Sequence, residues 1–251
     1  MGAHRRTLKC LRGLTAAAGA LLAGFAYALP ANAEDAAAPK SPVLVELFLS
    51  QACNMCPPAA ALFHDTAAQE GVVALSWHVD YWNMTSSEHG RWIDPYSHAT
   101  FTKRQKRYNM NIRQRSSIYT PQVIVHGAAQ AVGTKQEMIQ ALIADAPAKR
   151  TPIAATSDNQ AVRFEVGESP EGGNAYLVTF QKQLITDVTS GKNAGKTFNE
   201  VNVVTDVTPL GVVRRRGATF SAPAPQDGEG CALIVEQPGQ TGVVAAAYCA
   251  G

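Results

Sequence analysis

Past its N-terminal stretch the chain has no apolar run near the roughly 20 residues a spanning helix needs. It has no internal repeat, and only 17% of its residues are charged. Cysteine is scarce at five, and the formal net charge is just +2. Even that small excess belongs to the first residues. "MGAHRRTLKCLR", "GLTAAAGALLAGFAYALP" and "ANA" follow the order of a cationic, an apolar and a small-residue cleavage region, so residues 1–33 read as a secretory signal cut after Ala33. A membrane anchor is the alternative, but the run is short and diluted by Gly and Ala. Arg5-Arg6 leaves general and twin-arginine export both open. Cleavage removes Arg5, Arg6, Lys9 and Arg12 from 22 basic residues, leaving 18 against 20 acidic ones, a net of −2. That removes any global charge argument for nucleic-acid binding, and no transmembrane anchor remains. The expected location is periplasmic or secreted.

Cleavage also removes Cys10, leaving Cys53, Cys56, Cys231 and Cys249. Four cysteines in an oxidising compartment favour disulfides over permanent zinc sites. The spacings favour the pairs 53–56 and 231–249.

Residues 34–42 read as a flexible polar leader. "VLVELFL" (43–49) is a strand buried on both faces. "AAALFHDTAAQE" is a helix ended by Gly71, and "VVALSWHVDYW" (72–82) is a second strand. Strand–helix–strand implies a right-handed crossover and a parallel pair. Residues 95–115 look helical, "PQVIVHG" (121–127) is a third strand, and 134–146 is a helix with Thr134 and Glu137 at capping-box spacing. Beyond 147–152 short strands alternate with Gly-rich turns, a pattern of small antiparallel sandwiches. The expected architecture is an α/β domain at 43–150 with a helical insert at 83–117, then a small antiparallel β-rich domain at 151–251.

"SQACNMCPP" places Cys53 and Cys56 where the first strand gives way to the helix. A helix N-terminus presents unpaired N–H groups and about half a positive charge, which favours a thiolate. Cys53, the outer sulfur, would attack a partner disulfide. Cys56, one turn in, would resolve the mixed disulfide. Pro57 and Pro58 suit a first helical turn. This chemistry calls for an exposed first sulfur. Thr120-Pro121, in "YTPQVIVHG", reads either as a simple strand entry or as a cis-proline turn against the cysteines.

"VELFLSQACNMCPPAAAL", "HVDYWN", "FTKRQKRY", "YTPQVIVHG" and "GKNAGKTFNEVNVV" together resemble the thioredoxin superfamily. They are more closely similar to the exported bacterial family called domain of unknown function 1223. The resemblance spans most of residues 43–210. It implies a thioredoxin-like fold, with Cys53 attacking, Cys56 resolving and Pro121 as the cis-proline. It also makes Glu46 the counterpart of the acidic residue beneath the thioredoxin active site, positioned to take the proton of Cys56. Glu46 lies one residue further from the first cysteine than that pattern has it. Asn54-Met55 differs from the Gly-Pro and Pro-His pairs of well-known relatives, so the potential does not carry over.

"WHVDYWN" sets His78, Asp80 and Trp82 on one face of a strand. A His78–Asp80 pair could assist the thiols, with Trp82 and Thr120 contacting substrate. Alternatively Cys53, Cys56 and His78 would hold copper(I), which suits thiolate and imidazole. A third reading makes His78 a satisfied core histidine beside Trp77, Val79 and Tyr81. His64, His89, His98 and His126 carry no partner spacing.

No acidic residue occurs between Asp94 and Glu137, while Lys103, Arg104, Lys106, Arg107, Arg113 and Arg115 cluster there. The cluster reads as a solvated helix face or as a surface for an acidic partner. "SGKNAGKT" (190–197) nearly spells a phosphate loop, but Ser190 replaces the first glycine and a strand follows, so it reads as a hairpin turn. Cys231 and Cys249 lie nine residues either side of Gln240. A hairpin about that point brings their Cα atoms to about 4.5–5.5 Å, within reach of a structural disulfide. The function these features point to is a cofactor-free thiol–disulfide oxidoreductase acting on protein thiols or disulfides. Copper delivery, or a binding module with a static disulfide, is the alternative.

Overall fold

Seven consecutive buried residues form the first strand, β1 (Val43–Leu49), of the computed structural model, which describes residues 41–147, 151–158 and 160–250. The signal read at 1–33 lies outside those residues. Ser41, read as part of a flexible leader, is buried, and its Oγ donates to the Ala246 carbonyl at 2.8 Å.

Helix α1 (Pro57–Ala67) begins on the two prolines, whose missing N–H groups cost nothing in a first turn. Gly71, at φ +75°, makes the turn into β2 (Val72–His78), a conformation that side chains disfavour. β1 and β2 pair in parallel from Val43↔Val72 to Leu49↔His78. Helix α2 (Ala99–Arg113) starts where His98 Nδ1 accepts from the Thr100 N–H at 3.2 Å. Then come β3 (Gln122–Val125), β4 (Ala129–Val132) and α3 (Gln136–Ala144). The capping box expected from Thr134 does not form, because α3 starts later, behind Lys135, with no side-chain cap.

The remaining strands are β5 (Ile153–Ser157), β6 (Ala161–Val166), β7 (Gly173–Val188), β8 (Lys196–Val213), β9 (Ala218–Pro223), β10 (Glu229–Glu236) and β11 (Val243–Tyr248). Eight strands form one sheet in the order β11-β10-β7-β8-β2-β1-β3-β4, and β5-β6-β9 form a second.

This overturns the expected fold class, an α/β thioredoxin-like domain followed by a separate antiparallel one. The protein is mainly β, with three helices among its described residues. The physical reason lies at the free edge of β2. There β8 joins in parallel at Ser76↔Val203, and Ser76 Oγ donates to the Val201 carbonyl at 2.8 Å. β7 and β8, 16 and 18 residues long, carry the sheet onward as one antiparallel ribbon. The strands expected to form their own sandwich therefore extend the first sheet. The small second sheet does cover part of it: Val162 and Phe164 of β6 share a core with Leu177 and Leu233.

The two faces of β1 serve different cores, since side chains alternate along a strand. Val45, Leu47 and Leu49 pack with Cys53, Cys56 and Phe63. Leu44 and Phe48 pack on the other side with Trp77, Phe101 and Tyr108.

Candidate functional site

Cys53 and Cys56 stand in the bend between β1 and α1. The Cys53 N–H donates to the Ser50 carbonyl and the Cys56 N–H to the Cys53 carbonyl, both at 3.1 Å, and the Cys56 carbonyl starts the helix by accepting from Ala60 at 3.0 Å. Both cysteines are free thiols. Cys53 is pulled down from an ordinary 9.0 to about 7. The largest cause is a hydrogen bond from the Cys56 thiol; burial opposes it, and Thr120 and the N–H groups of Met55 and Cys56 assist. Burial, together with the hydrogen bond and charge of Cys53, pushes Cys56 well above its ordinary value. The outer sulfur is thus the better nucleophile at neutral pH, and the inner one holds its proton.

The Thr120-Pro121 peptide bond is cis, and the Thr120 carbonyl lies 4.0 Å from Cys53 Sγ. Trp82 Nε1 donates to Thr120 Oγ1 at 2.6 Å, so both residues read as substrate contacts converge on this sulfur. Gly133 closes the back of the turn: its N–H donates to the Pro121 carbonyl at 2.9 Å, and a Cβ there would stand 2.9 Å from Pro121 Cβ. The exposed first sulfur is not found. Cys53 is 0% exposed, and half-buried Trp82 and Trp92 pack against the cysteine cluster.

Glu46 is corrected outright. It is fully buried, but on the Phe48 face of β1, with the sheet between it and the thiols. There it pairs with Arg104 Nε at 2.6 Å and accepts from Tyr108 Oη at 2.5 Å. Arg104 also pairs with Glu236. Burial raises the Glu46 carboxyl, and Arg104 opposes that rise.

The His78–Asp80 pair is corrected too, because β2 ends at His78 and the two-residue alternation with it. Asp80 Oδ1 accepts from Thr102 Oγ1 at 2.6 Å. His78 faces the cysteine side but turns Nδ1 to Asp94, at 2.8 Å from Oδ2, and Nε2 to Glu200, at 3.2 Å from Oε1. Burial disfavours its charge, yet Asp94 and then Glu200 raise its pKa to about 10. Asp94 and Glu200 thus favour an imidazolium at His78, with Nδ1 hydrogen-bonded to Asp94 and Nε2 facing Glu200 as an ion pair without a hydrogen bond. Among the described residues no group of three or more His, Cys, Asp or Glu side chains is placed to hold a metal ion.

Three residues missed in the sequence tie this buried triad to the thiols. The Gln51 N–H donates to Asp94 Oδ2 and its Nε2 to Glu200 Oε2, both at 2.8 Å. Trp92 Nε1 donates to Gln51 Oε1 at 3.3 Å. Asn193 Nδ2, in the turn between β7 and β8, donates to the carbonyls of Gln51 and Cys53 at 2.8 and 2.9 Å. No local signal announces these residues, since their partners lie up to 149 positions away. Tyr81, read as core, also approaches the thiols. Burial chiefly raises its pKa, Thr120 opposes, and the charges of Cys56 and Cys53 add to the rise.

The turn "SGKNAGKT" does close a hairpin, as its sequence says. Cys231 and Cys249 are disulfide-bonded with Cα atoms 5.3 Å apart, and the Cys249 N–H donates to the Cys231 carbonyl at 2.8 Å.

Fold and site together define a mixed-sheet protein with a closed dithiol at a strand-to-helix junction. The chain belongs to the family described as "Protein of unknown function (DUF1223)", which matches residues 44–236. It is also similar to the X-ray crystal structure of an Agrobacterium tumefaciens protein, at 24% identity and a TM-score of 0.70, over 86% of this chain and 96% of that one. At that identity the likeness speaks to the fold alone. No curated protein matches the chain.

Proposed function

We propose that this protein is a thiol–disulfide oxidoreductase, thioredoxin-like in the chemistry of its site, that acts on protein thiols or disulfides in an exported compartment. One observation carries the reading: Cys53 and Cys56 are free thiols joined by a side-chain hydrogen bond, which draws the pKa of Cys53 down and that of Cys56 up. The junction of strand and helix, and Thr120-Pro121 against Cys53, support the same reading.

In the reducing direction the Cys53 thiolate attacks one sulfur of a substrate disulfide. The substrate S–S bond breaks, a mixed disulfide forms, and the first substrate sulfur leaves as a thiolate. Cys56 then passes its proton to the substrate thiolate just released and attacks Cys53 Sγ. The second substrate thiolate leaves, Cys53 and Cys56 are oxidised to a disulfide, and two electrons have passed to the substrate. The oxidising direction is the reverse. No organic cofactor enters either direction. Because Cys53 is closed, docking has to displace Trp82 from Thr120.

The test is disulfide exchange with a disulfide-bonded peptide. Wild type turns over, Cys53→Ser does not, and Cys56→Ser accumulates a mixed disulfide visible by intact mass. Equal turnover by wild type and Cys53→Ser removes the proposal.

A further inference from the structure

A cavity of about 370 Å³ opens on the face of the sheet away from the cysteines. Part of its wall is aromatic: Trp77 and Phe101 meet edge to face with ring centroids 5.1 Å apart, and Tyr176 of β7 joins them among polar and charged side chains. A volume of roughly 300–1,000 Å³ is usual for small-molecule sites with a few convergent polar groups.

The polar groups here are unmet. Trp77 Nε1 is buried with no hydrogen-bond partner among the described residues, and so is Gln240 Oε1. Both residues line the cavity, and they are 0% and 4% exposed. Gln240 is held in place by its own Nε2, which donates to the Arg104 carbonyl at 3.1 Å. Arg104 lies with its guanidinium carbon 4.8 Å from the centre of the Trp77 ring. Its Nε and Nη2 are spent on Glu46, Tyr108 and Glu236, and no hydrogen bond from Nη1 occurs among the described residues. Trp77 Nε1 and Gln240 Oε1 are shut off from the cavity space, so an occupant meets instead the open Nη1 of Arg104 and the charged side chains that line the cavity.

Charge narrows the choice. Lys103 and Arg107, one helical turn apart on α2, are exposed, and Asp206 and the buried Glu236 line the same cavity. Here part of the basic cluster seen in the sequence acquires a role. Arg113 is otherwise engaged, over the Tyr119 ring and bonded to the Ser117 carbonyl at 3.0 Å.

We infer that this cavity binds a small organic carboxylate with an apolar body and a hydrogen-bond donor beside the carboxylate, as in an aromatic amino acid. The carboxylate meets Lys103, Arg107 and the open Nη1 of Arg104. The adjacent amine meets the Asp206 carboxylate in the lining. The apolar body lies between Phe101 and Tyr176. The site is independent of the thiol chemistry proposed above, since Cys53 belongs to the other core.

Titration calorimetry on the intact protein with three probes tests this. L-phenylalanine carries both polar groups, 3-phenylpropionate lacks the amine, and 2-phenylethylamine lacks the carboxylate. L-phenylalanine is expected to bind best, with 3-phenylpropionate about tenfold weaker, the scale of one charge-assisted hydrogen bond. 2-Phenylethylamine is expected to be weaker again. The Lys103→Ala/Arg107→Ala variant changes exposed residues, so it should keep its circular dichroism and lose at least about tenfold in L-phenylalanine affinity. Three results each overturn the inference: no heat from L-phenylalanine at millimolar concentration, 2-phenylethylamine binding as tightly, or a folded double variant with unchanged affinity.

Discussion

The side-chain amide of Asn193 donates to the Cys53 carbonyl at 2.9 Å, across 140 residues of chain. The same nitrogen reaches the Gln51 carbonyl at 2.8 Å, and Asn193 Oδ1 accepts from Lys196 Nζ at 3.0 Å. A hairpin turn therefore fixes the backbone on which the outer thiol stands. Asn193→Ala leaves the Gln51 carbonyl unpaired and the Cys53 carbonyl with only its bond from the Cys56 N–H, and a buried group left unmet costs about 1–3 kcal/mol. Urea unfolding should show a loss of about 2 kcal/mol, and Cys53 should alkylate faster as its loop loosens. A variant unchanged in both measurements would mean that the turn does not hold the loop.

Because the hydrogen bond from Cys56 is the largest influence lowering Cys53, it supplies a pH test. The alkylation rate of Cys53 should titrate with a midpoint of about 7 in wild type. Cys56→Ala removes that bond, and the midpoint should move up toward that of an ordinary thiol. Mass spectrometry of the Cys53 peptide across pH measures it. A midpoint that stays in place would assign the lowering to the helix N-terminus and Thr120 instead.

Arg104 joins β1 to β10 by pairing with both Glu46 and Glu236. Arg104→Met leaves two buried carboxylates without their cation, and breaking such a pair from one side costs about 3–5 kcal/mol. Glu46→Gln keeps the shape and removes one charge. It should shift stability while leaving the titration of Cys53 and Cys56 untouched, because Glu46 lies beyond the sheet. A moved thiol midpoint in Glu46→Gln would restore Glu46 to the thiol chemistry.

Reduction of Cys231–Cys249 opens a cross-strand link between residues 18 apart in sequence. The loop it closes is short, so the link should be worth roughly 3 kcal/mol. Cys231→Ala/Cys249→Ala should unfold at correspondingly lower urea and keep its thiol exchange, since this link sits in the core beneath the second sheet.

What was legible in the sequence was whatever repeats over a few residues. β1, the β6 alternation, the Gly71 turn, the prolines of α1 and the hairpin about Gln240 all announce themselves locally. Pairing between distant strands does not, and so Ser76↔Val203, which merges the two expected domains into one sheet, left no trace. Glu46 shows a second limit. Every residue of β1 is buried, so hydrophobicity cannot say which face looks toward the cysteines. His78 shows a third: its partners, Asp94 and Glu200, sit in a loop and on a distant strand. The sequence named the cysteines, Thr120-Pro121 and Trp82, which lie together in the structure, and gave no sign of the network behind them.

That scaffold gives the last prediction. His78 has its pKa raised from 6.5 to about 10 in the folded protein, so folding binds its proton more tightly. A raised pKa contributes stability that is complete below the unfolded value and is lost as pH climbs through the folded one. The window is therefore 6.5 to about 10, with stability falling across it. Asp94, held below its ordinary 3.8 mainly by His78 against the penalty of burial, acts at the acid end, where its contribution is lost as pH falls. Cys53 titrates within the same window, so the measurement belongs in a Cys53→Ser background. There, urea midpoints should decline from neutral to alkaline pH, and the added His78→Gln change should lower the neutral value and flatten the decline. A decline of equal slope with His78→Gln would show that His78 does not carry its proton between Asp94 and Glu200.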